Sequence, residues 1–151
     1  MNFNRGYFGI GIYNGKAESN VGTLWRSAFQ LGASFIFTIG RRYPQQSSDT
    51  TKCWKHVPAF VYSQWDEFFA GRPFDCPLIG IEMGGLPLDG FYHPERAIYL
   101  LGAEDNGLPP AVLNCCQQVV SIPSVRTESY NVSVAGSIVM YDRLIKHRSR
   151  V

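Results

Sequence analysis

The stretch AIYLLGAEDNGLP, residues 97–109, decides the fold class of this chain. Its first five residues form an uninterrupted apolar run, which is typical of a strand buried on both faces in a parallel sheet. Gly102 and Gly107 then enclose a short polar segment. Ligands of parallel sheets bind at the carboxyl ends of the strands. Residues 102–109 are therefore the first place in the sequence to look for a functional site.

The remainder of the chain alternates between strand-like and helix-like segments. Strands are predicted at residues 7–13, 34–39, 59–62, 78–81, 97–101 and 119–122. Helices are predicted after Ser19 or Asn20 as far as Gly32, between Ser63 and Gly71, from Pro109 to about Cys116, and from Val132 to about His147. This order predicts an α/β fold, a mostly parallel sheet with helices on both faces, in a single domain over residues 1–151.

Three local patterns add detail. Ser63 and Asp66 resemble a capping box that opens the second helix. Residues 40–55 are polar and show no clear period, which predicts a long surface loop. Gly9 and Gly11 lie inside the first predicted strand, whereas a dinucleotide-binding loop needs its glycines after the strand. We therefore expect these glycines to permit close packing and not to bind a nicotinamide or flavin.

Composition argues against several classes of function. The 151 residues are 45% apolar, with no apolar run long enough to cross a bilayer and no signal-type segment after the start. We therefore expect a cytoplasmic protein with no membrane role. The cysteines at positions 53, 76, 115 and 116 show no disulfide framework and are expected to be reduced. Cys53 and His56 lack a second ligand pair at zinc spacing, so no metal is predicted.

Charge gives a weaker indication. The net charge of +2 is too small to identify a nucleic-acid partner by itself. Basic residues do cluster within residues 41–55 and 146–150. These clusters are compatible with RNA binding, but such clusters are usually solvated surface.

Three segments that follow predicted strands carry a family resemblance. They are SNVGTLWRSA at residues 19–28, LGAEDNGLP at residues 101–109, and IP at residues 122–123 followed by SYNVSVA at residues 129–135. Together and in this order they resemble the three motifs of the SpoU family, also called TrmH, in the SPOUT class of RNA methyltransferases. The resemblance is closest to the short, TrmL-like members that methylate the wobble ribose of tRNA.

The resemblance implies a fold detail, a reaction and a quaternary structure. The fold would include a C-terminal trefoil knot, a topology that general rules disfavour. The reaction would move a methyl group from S-adenosylmethionine to a ribose 2′-hydroxyl of RNA, with tRNA as the favoured substrate. The protein would be a homodimer, because each active site in this family borrows from a neighbouring subunit.

The resemblance also implies a cofactor-binding set. Its members are Gly80, Ile81, Gly102, Gly107, Ile122, Ser129, Tyr130 and Asn131. The glycines Gly102 and Gly107 would let the backbone approach the donor. The segment Ile122-Pro123 would offer an apolar edge with a carbonyl free to accept a hydrogen bond.

Arg26 corresponds to the catalytic arginine of the family. It lies away from the apolar stripe of the first helix, so its guanidinium can reach a solvent cleft. The family sometimes assigns it the role of general base, but a guanidinium is a reluctant base, which favours phosphate positioning and stabilisation of the developing alkoxide. Asn20, Glu104, Ser129 and Asn131 complete the predicted catalytic set, with Glu104 orienting Arg26 or Asn20.

The sequence departs from the family pattern in the third motif. Tyr130 stands where leucine or methionine is usual, and residues 124–128 lack the common glycine. Tyr130 could stack on a base, or pack on the adenine or the core. Ribosomal RNA is therefore an alternative substrate. A non-catalytic RNA-binding or assembly factor with the same fold is an alternative function.

Overall fold

The computed structural model describes residues 6–15, 18–40, 53–103, 106–126 and 129–148. The strands are β1 (Tyr7–Tyr13), β2 (Phe35–Ile39), β3 (Ala59–Tyr62), β4 (Leu78–Pro87), β5 (Arg96–Leu101) and β6 (Gln118–Ser121). The helices are α1 (Glu18–Leu31), α2 (Trp65–Gly71), α3 (Pro110–Leu113) and α4 (Val132–Arg148), with single 3₁₀ turns at Cys53–Lys55 and Leu88–Gly90. Within these ranges, no helix is long and apolar enough to cross a membrane.

The six strands form one sheet in the order β3-β2-β1-β5-β4-β6. Every pair of neighbouring strands is parallel. Strand β5 lies between β1 and β4, and its residues 97–101 are at most 1% exposed. An apolar run without alternation is what a strand needs when helices cover both of its faces.

Two hydrophobic cores lie on the two faces of the sheet. One core includes Leu24 of α1 and Val139 of α4, and the other includes Phe68 of α2 and Val112 of α3. Helices α1 and α4 approach closely at Gly136, where an added Cβ would lie 2.5 Å from Leu24 Cδ1. The predicted fold class is therefore confirmed, whereas the trefoil knot stays a prediction.

The glycines inside β1 permit close packing, as predicted. An added Cβ at Gly9 would lie 2.2 Å from the Phe35 ring, and one at Gly11 would lie 2.4 Å from the Phe37 ring. These residues are register partners across the β1–β2 pair. The aromatic rings of β2 can lie over β1 because β1 has no side chains at these two positions.

The first helix begins earlier than predicted. Since α1 starts at Glu18, Ser19 and Asn20 lie inside its first turn and do not precede it as caps. Its apolar stripe is also narrower than predicted. Phe29 is 38% exposed and its ring lies against the His56 ring, with 5.3 Å between centroids, instead of entering the core.

The capping interaction of α2 uses a different acid from the one predicted. The backbone N–H and the hydroxyl of Ser63 donate to Glu67 Oε2 at 2.8 and 2.6 Å, and the predicted partner was Asp66. The helix begins at Trp65, so Glu67 holds its third position, from which a carboxylate can reach back to the preceding turn. These bonds lower the pKa of Glu67.

Three other boundaries differ from the prediction. Strand β4 continues past Ile81 to Pro87, with a shift in its pairing to β6. Helix α3 ends at Leu113 and not near Cys116, because the following N–H groups bond to carbonyls three residues back. Strand β6 begins and ends one residue before the predicted segment. Of the predicted loop at residues 40–55, residues 41–52 lie outside the described ranges.

The cysteines are all free thiols. Cys53 is buried whereas His56 is exposed, so the two do not face a common site. Burial raises the pKa of Cys116 to about 11, which keeps it protonated at neutral pH. Among the residues that the structure describes, no group of three histidine, cysteine or acidic side chains is placed to hold a metal ion.

Candidate functional site

A cleft of about 120 Å³ opens where β4 stops pairing with β5 and where β5 and β6 end. The described residues that line it are Ile81, Glu82, Met83, Leu101, Gly102, Ala103, Gly107, Ile122, Ser124, Arg126, Ser129, Tyr130, Val132 and Ala135. They come from the middle of β4, from the end of β5, from the segments that follow β5 and β6, and from the start of α4. A largely apolar wall with a few polar groups is typical of a small-molecule site.

The segment after β5 forms the central wall of the cleft by folding back on itself. The Gly107 N–H donates to the Ala103 carbonyl at 3.0 Å, closing a small antiparallel bridge. An added Cβ at Gly102 would lie 2.5 Å from the Gly107 carbonyl carbon, so only glycine fits there. Gly107 itself has a φ of +63°, in the left-handed region that favours glycine.

Glu82 lies next to this segment, lines the cleft and was not predicted from the sequence. Its Oε2 accepts a hydrogen bond from the Leu108 N–H at 2.8 Å, and its Oε1 accepts one from the Met83 N–H at 3.0 Å. An added Cβ at Gly107 would lie 2.2 Å from Glu82 Oε2. The glycines of the second motif therefore make room for the turn and for a carboxylate, and the predicted approach of their backbone to the donor stays a prediction.

The third wall of the cleft is closed by Tyr130. Its hydroxyl donates to the Pro123 carbonyl at 2.8 Å, which joins the two ends of the segment between β6 and α4. The Pro123 carbonyl therefore already accepts one hydrogen bond, and whether a carbonyl of the Ile122-Pro123 segment also accepts one from the donor stays a prediction. Nearby, the Ser124 hydroxyl donates to the Arg126 carbonyl at 2.6 Å. The unusual tyrosine of this chain thus fixes the shape of the wall.

Asn131 connects the third motif to the first. Its Nδ2 donates to Asn20 Oδ1 at 3.1 Å, and its Oδ1 accepts hydrogen bonds from Ser133 N, Ser133 Oγ and Val134 N at 3.0, 2.7 and 3.3 Å. The latter bonds satisfy backbone N–H groups at the start of α4, as an N-cap does. Asn131 therefore holds α4 against α1 beside the cleft without lining it.

The structure brings together most of the predicted cofactor-binding set. Ile81, Gly102, Gly107, Ile122, Ser129 and Tyr130 all line the cleft, whereas Asn131 does not. Gly80 also does not line it, because its open side faces the opposite core, where an added Cβ would lie 3.1 Å from Cys116 Sγ. Whether the lining residues bind a cofactor stays a prediction at this point.

The predicted catalytic set is more dispersed. Ser129 lines the cleft. Asn20 is bonded to Asn131, which lies beside the cleft. Arg26 is an exposed residue of α1 that does not line the cleft. Six residues separate Arg26 from Asn20, so Arg26 lies roughly 9 Å further along the helix and about 120° around it. Glu104 lies outside the described residues. The structure therefore does not bring Arg26 into the lining of the cleft of its own chain.

The model of the SpoU rRNA Methylase family matches residues 8–141 of this chain. This match extends over most of the sequence and over all three walls of the cleft. The chain therefore belongs to the SpoU rRNA methylase family.

Curated relatives agree with this assignment. An uncharacterised tRNA/rRNA methyltransferase of Mycobacterium bovis is 26% identical over 141 residues. The match covers 87% of this chain but 43% of that protein. The chain thus spans less than half the length of the curated relatives it matches.

Solved structures share the fold. The SpoU methyltransferase AviRb from Streptomyces viridochromogenes, in complex with AdoMet, is 22% identical with a TM-score of 0.82, covering 97% of this chain and 59% of that one. A structure described as giving insights into the 2-OH methylation of C/U34 on tRNA is 22% identical with a TM-score of 0.78. That match covers 92% of this chain and 95% of the other.

S-adenosylmethionine is the cofactor that the family assigns to this chain. The cleft fits its chemistry. The apolar side chains of Ile81, Leu101 and Ile122 suit an adenine ring, and the hydroxyl of Ser129 can bond to polar atoms of the donor.

Proposed function

We propose that the chain is an S-adenosylmethionine-dependent RNA ribose 2′-O-methyltransferase that acts in the cytoplasm on tRNA, with the wobble ribose as its target. The observation that carries this proposal is the convergence on one cleft of described residues from three separate parts of the chain, namely residues 81–83, residues 101–103 with 107, and residues 122, 124, 126, 129 and 130. The first part lies where β4 stops pairing with β5, and the other two lie at or after the carboxyl ends of β5 and β6, where this class of sheet binds ligands.

Similarity to a structure that concerns tRNA favours tRNA as the substrate. The structure concerned with C/U34 of tRNA matches 92% of this chain and 95% of its own chain, whereas the match to AviRb covers 59% of that chain. Ribosomal RNA remains the alternative substrate, since the curated relatives are named tRNA/rRNA methyltransferases.

The residues of the cleft would bind the donor and exclude water from it. S-adenosylmethionine supplies a methyl group activated by a positively charged sulfur. Ile81, Leu101 and Ile122 would hold the adenosine in an apolar slot, and the Tyr130–Pro123 hydrogen bond would keep the covering segment in place. Excluding water and fixing the orientation of the donor is the main contribution that such a site can make.

Arg26 would act on the RNA side. The attacking hydroxyl develops negative charge, which a guanidinium stabilises without needing to lose its own proton. Because Arg26 is exposed and does not line the cleft of its own chain, we propose that it serves the cleft of a second subunit. Asn20 and Asn131 would hold the two helices that meet beside the cleft, and Ser129 would position the donor or the ribose.

A homodimer would supply that second subunit. An outward-facing apolar surface lies between α1 and α4, lined by Thr23, Ser133, Val134, Ser137, Ile138 and Tyr141. Val134 and Tyr141 are 47% and 57% exposed, which is unusual for large apolar side chains on one surface. We propose this surface as the dimer interface because its α1 residue, Thr23, lies about one turn before Arg26 on the same helix.

Oligomeric state tests the interface. Tyr141→Asp should halve the molar mass measured by light scattering, because a carboxylate in an apolar interface is left unpaired. Tyr92→Asp places the same charge at a 70% exposed position outside this surface and should leave the mass unchanged. A wild-type protein with the mass of one chain would contradict the dimer.

Methyl transfer tests the activity. The protein is incubated with S-adenosylmethionine labelled in its methyl group, together with separate tRNA and ribosomal RNA fractions from cells that lack it. Label on ribose oxygens at the wobble position of tRNA supports the proposal. Label in ribosomal RNA alone would contradict the tRNA assignment, and RNA binding without label would favour a non-catalytic factor.

A further inference from the structure

Glu82 places a carboxylate in the wall of the cleft. Among the described residues that line the cleft it is the one acid, and Arg126 is the one base. Glu82 belongs to β4 and directly follows the buried residue Ile81, so its backbone is held in the sheet. A charged side chain next to an apolar slot has a desolvation cost unless it has polar partners. Its position therefore needs an explanation.

Two backbone bonds fix the direction of the carboxylate. Oε2 accepts from Leu108 N and Oε1 accepts from Met83 N, so both oxygens are held between β4 and the turn after β5. Gly107 provides the space for this arrangement, since a Cβ there would overlap Oε2. The group is thus preorganised before any ligand binds.

The remaining capacity of the carboxylate defines the ligand group it can take. A carboxylate accepts about four hydrogen bonds and donates none. One bond to each oxygen is already made inside the protein. Each oxygen therefore has about one acceptor position left. Two remaining acceptor positions on one carboxylate can take two adjacent hydroxyl groups, each of which donates one hydrogen bond.

S-adenosylmethionine carries one such pair, the 2′- and 3′-hydroxyls of its adenosine ribose. Its carboxylate would be repelled by Glu82. Placing Glu82 against the sulfonium would stabilise a positive charge that is lost during methyl transfer, which would favour the ground state over the transition state. Contact with the ribose holds the donor without that penalty, because the ribose charge does not change during the reaction.

We propose that Glu82 binds the vicinal hydroxyls of the donor ribose and is a cofactor-binding residue of this enzyme. The proposal rests on the proposed function, because it takes the cleft to be the donor site. Glu82 would then select donors built on a ribonucleoside. It would also link donor binding to the second motif, because the same carboxylate holds the Leu108 N–H.

A thermodynamic cycle tests the contact. Calorimetry measures the dissociation constant of S-adenosylhomocysteine and of its 2′-deoxy and 3′-deoxy analogues, for the wild-type protein, Glu82→Gln and Glu82→Ala. In the wild type, removal of a hydroxyl that bonds to a carboxylate should weaken binding about tenfold or more. In Glu82→Ala the same removal should change the constant by less than about twofold, because the partner is already gone.

The design separates this contact from a purely structural role. If Glu82 only holds the turn, the variants weaken all ligands by the same factor and the hydroxyl penalty persists, which overturns the proposal. Glu82→Gln retains an oxygen for the Leu108 N–H, so it keeps the test valid if the alanine variant fails to fold. Asp89→Ala removes an exposed carboxylate that does not line the cleft and should leave every constant unchanged.

Two further outcomes are decisive. If Glu82→Ala weakens S-adenosylmethionine by a larger factor than S-adenosylhomocysteine, the carboxylate serves the sulfonium and the ribose assignment is wrong. If the wild-type protein binds none of these ligands, the proposed function itself fails. Binding of S-adenosylhomocysteine without coupling between Glu82 and the hydroxyls overturns only the present inference.

Discussion

Asn131 donates a hydrogen bond from Nδ2 to Oδ1 of Asn20 across 3.1 Å, joining residues 111 positions apart in the sequence. The same Asn131 side chain satisfies N–H groups at the start of α4 through its Oδ1. One amide thus caps a helix and fixes that helix against α1. Both motifs meet here beside the cleft, which explains physically why an asparagine is required at each position.

This geometry predicts unequal effects for the two asparagines. Asn131→Ala should lower the free energy of unfolding by about 1–2 kcal/mol, because the α4 cap and the contact to α1 are lost together. Asn20→Ala removes only the contact between helices and should lower it by less than about 1 kcal/mol. Urea denaturation of both variants measures the difference. Equal losses would show that the cap contributes nothing.

Loss of the Tyr130 hydroxyl is expected to weaken ligand binding without changing the stability of the fold. Tyr130→Phe removes the bond to the Pro123 carbonyl but keeps the ring, so the covering segment should be less ordered. The dissociation constant of S-adenosylhomocysteine should rise about threefold to tenfold, as expected for one lost hydrogen bond. The urea midpoint should stay unchanged because Tyr130 is 38% exposed.

A matched substitution controls for the loss of a hydroxyl. Tyr92 is 70% exposed and lies outside the cleft, so Tyr92→Phe should leave the dissociation constant unchanged. If Tyr130→Phe binds the ligand as tightly as the wild type does, the Tyr130 bond has no part in shaping the site.

The strands and the approximate position of the cleft could be predicted from the sequence because apolar runs and glycines are directly related to the local backbone conformation. The run at residues 97–101 predicted β5, and the segment that begins at Gly102 was predicted as the place of a functional site, where the central wall lies. These features depend on neighbours in the sequence. The family resemblance then supplied the cofactor.

Side-chain direction could not be predicted in the same way. Gly80 and Ile81 are adjacent, yet they face opposite sides of the sheet, and only Ile81 lines the cleft. Glu82 was missed because the predicted strand ended at residue 81, whereas β4 continues through a shift in pairing. An acid immediately after a predicted strand of a parallel sheet is the signal that could have identified it.

His93 predicts a pH dependence of stability. Burial lowers the pKa of His93 from 6.5 to about 4, although the hydrogen bond to Asp142 raises it. Its ring nitrogens bond to the Tyr99 hydroxyl and to Asp142 Oδ2, each at 2.7 Å. The unfolded chain takes up a proton near pH 6.5, and the folded chain does so only near pH 4. The contribution of His93 to the free energy of unfolding is therefore fully present above the pKa of the unfolded chain. It is lost as the pH falls towards the pKa of the folded chain.

The size of this effect can be measured. Between about pH 7.5 and about pH 4.5 the wild type should lose about 2–3 kcal/mol of unfolding free energy through this group. His93→Gln cannot take up the proton, so its urea stability should change less over the same range, whatever its absolute value. His56→Gln replaces an exposed histidine and should keep the wild-type dependence. Identical pH profiles for His93→Gln and wild type would exclude His93 as the source.

Substitution of Arg26 is expected to lower turnover without changing donor binding. Because the side chain is exposed on α1 and does not line the cleft, Arg26→Ala should bind S-adenosylhomocysteine like the wild type. Turnover on RNA should fall by at least about a hundredfold, the cost of removing one group that stabilises developing charge. Arg26→Lys should recover only part of it, since lysine lacks the forked geometry. Near-normal turnover in Arg26→Ala would remove this residue from the mechanism.

Mixing two inactive variants tests whether Arg26 acts on the partner's cleft. Gly102→Val blocks the cleft, since a Cβ at Gly102 already lies 2.5 Å from the Gly107 backbone, but it leaves Arg26 intact. Subunit exchange between Gly102→Val and Arg26→Ala produces mixed dimers. In a mixed dimer the open cleft belongs to the Arg26→Ala subunit and the intact arginine belongs to the Gly102→Val subunit. The site is therefore complete only if the arginine acts on the cleft of the other subunit. In an equal random mixture, activity should return to about a quarter of the wild-type value, because half of the dimers are mixed and each has one complete site. If Arg26 served its own cleft, no mixed dimer would contain a complete site and the mixture would stay inactive.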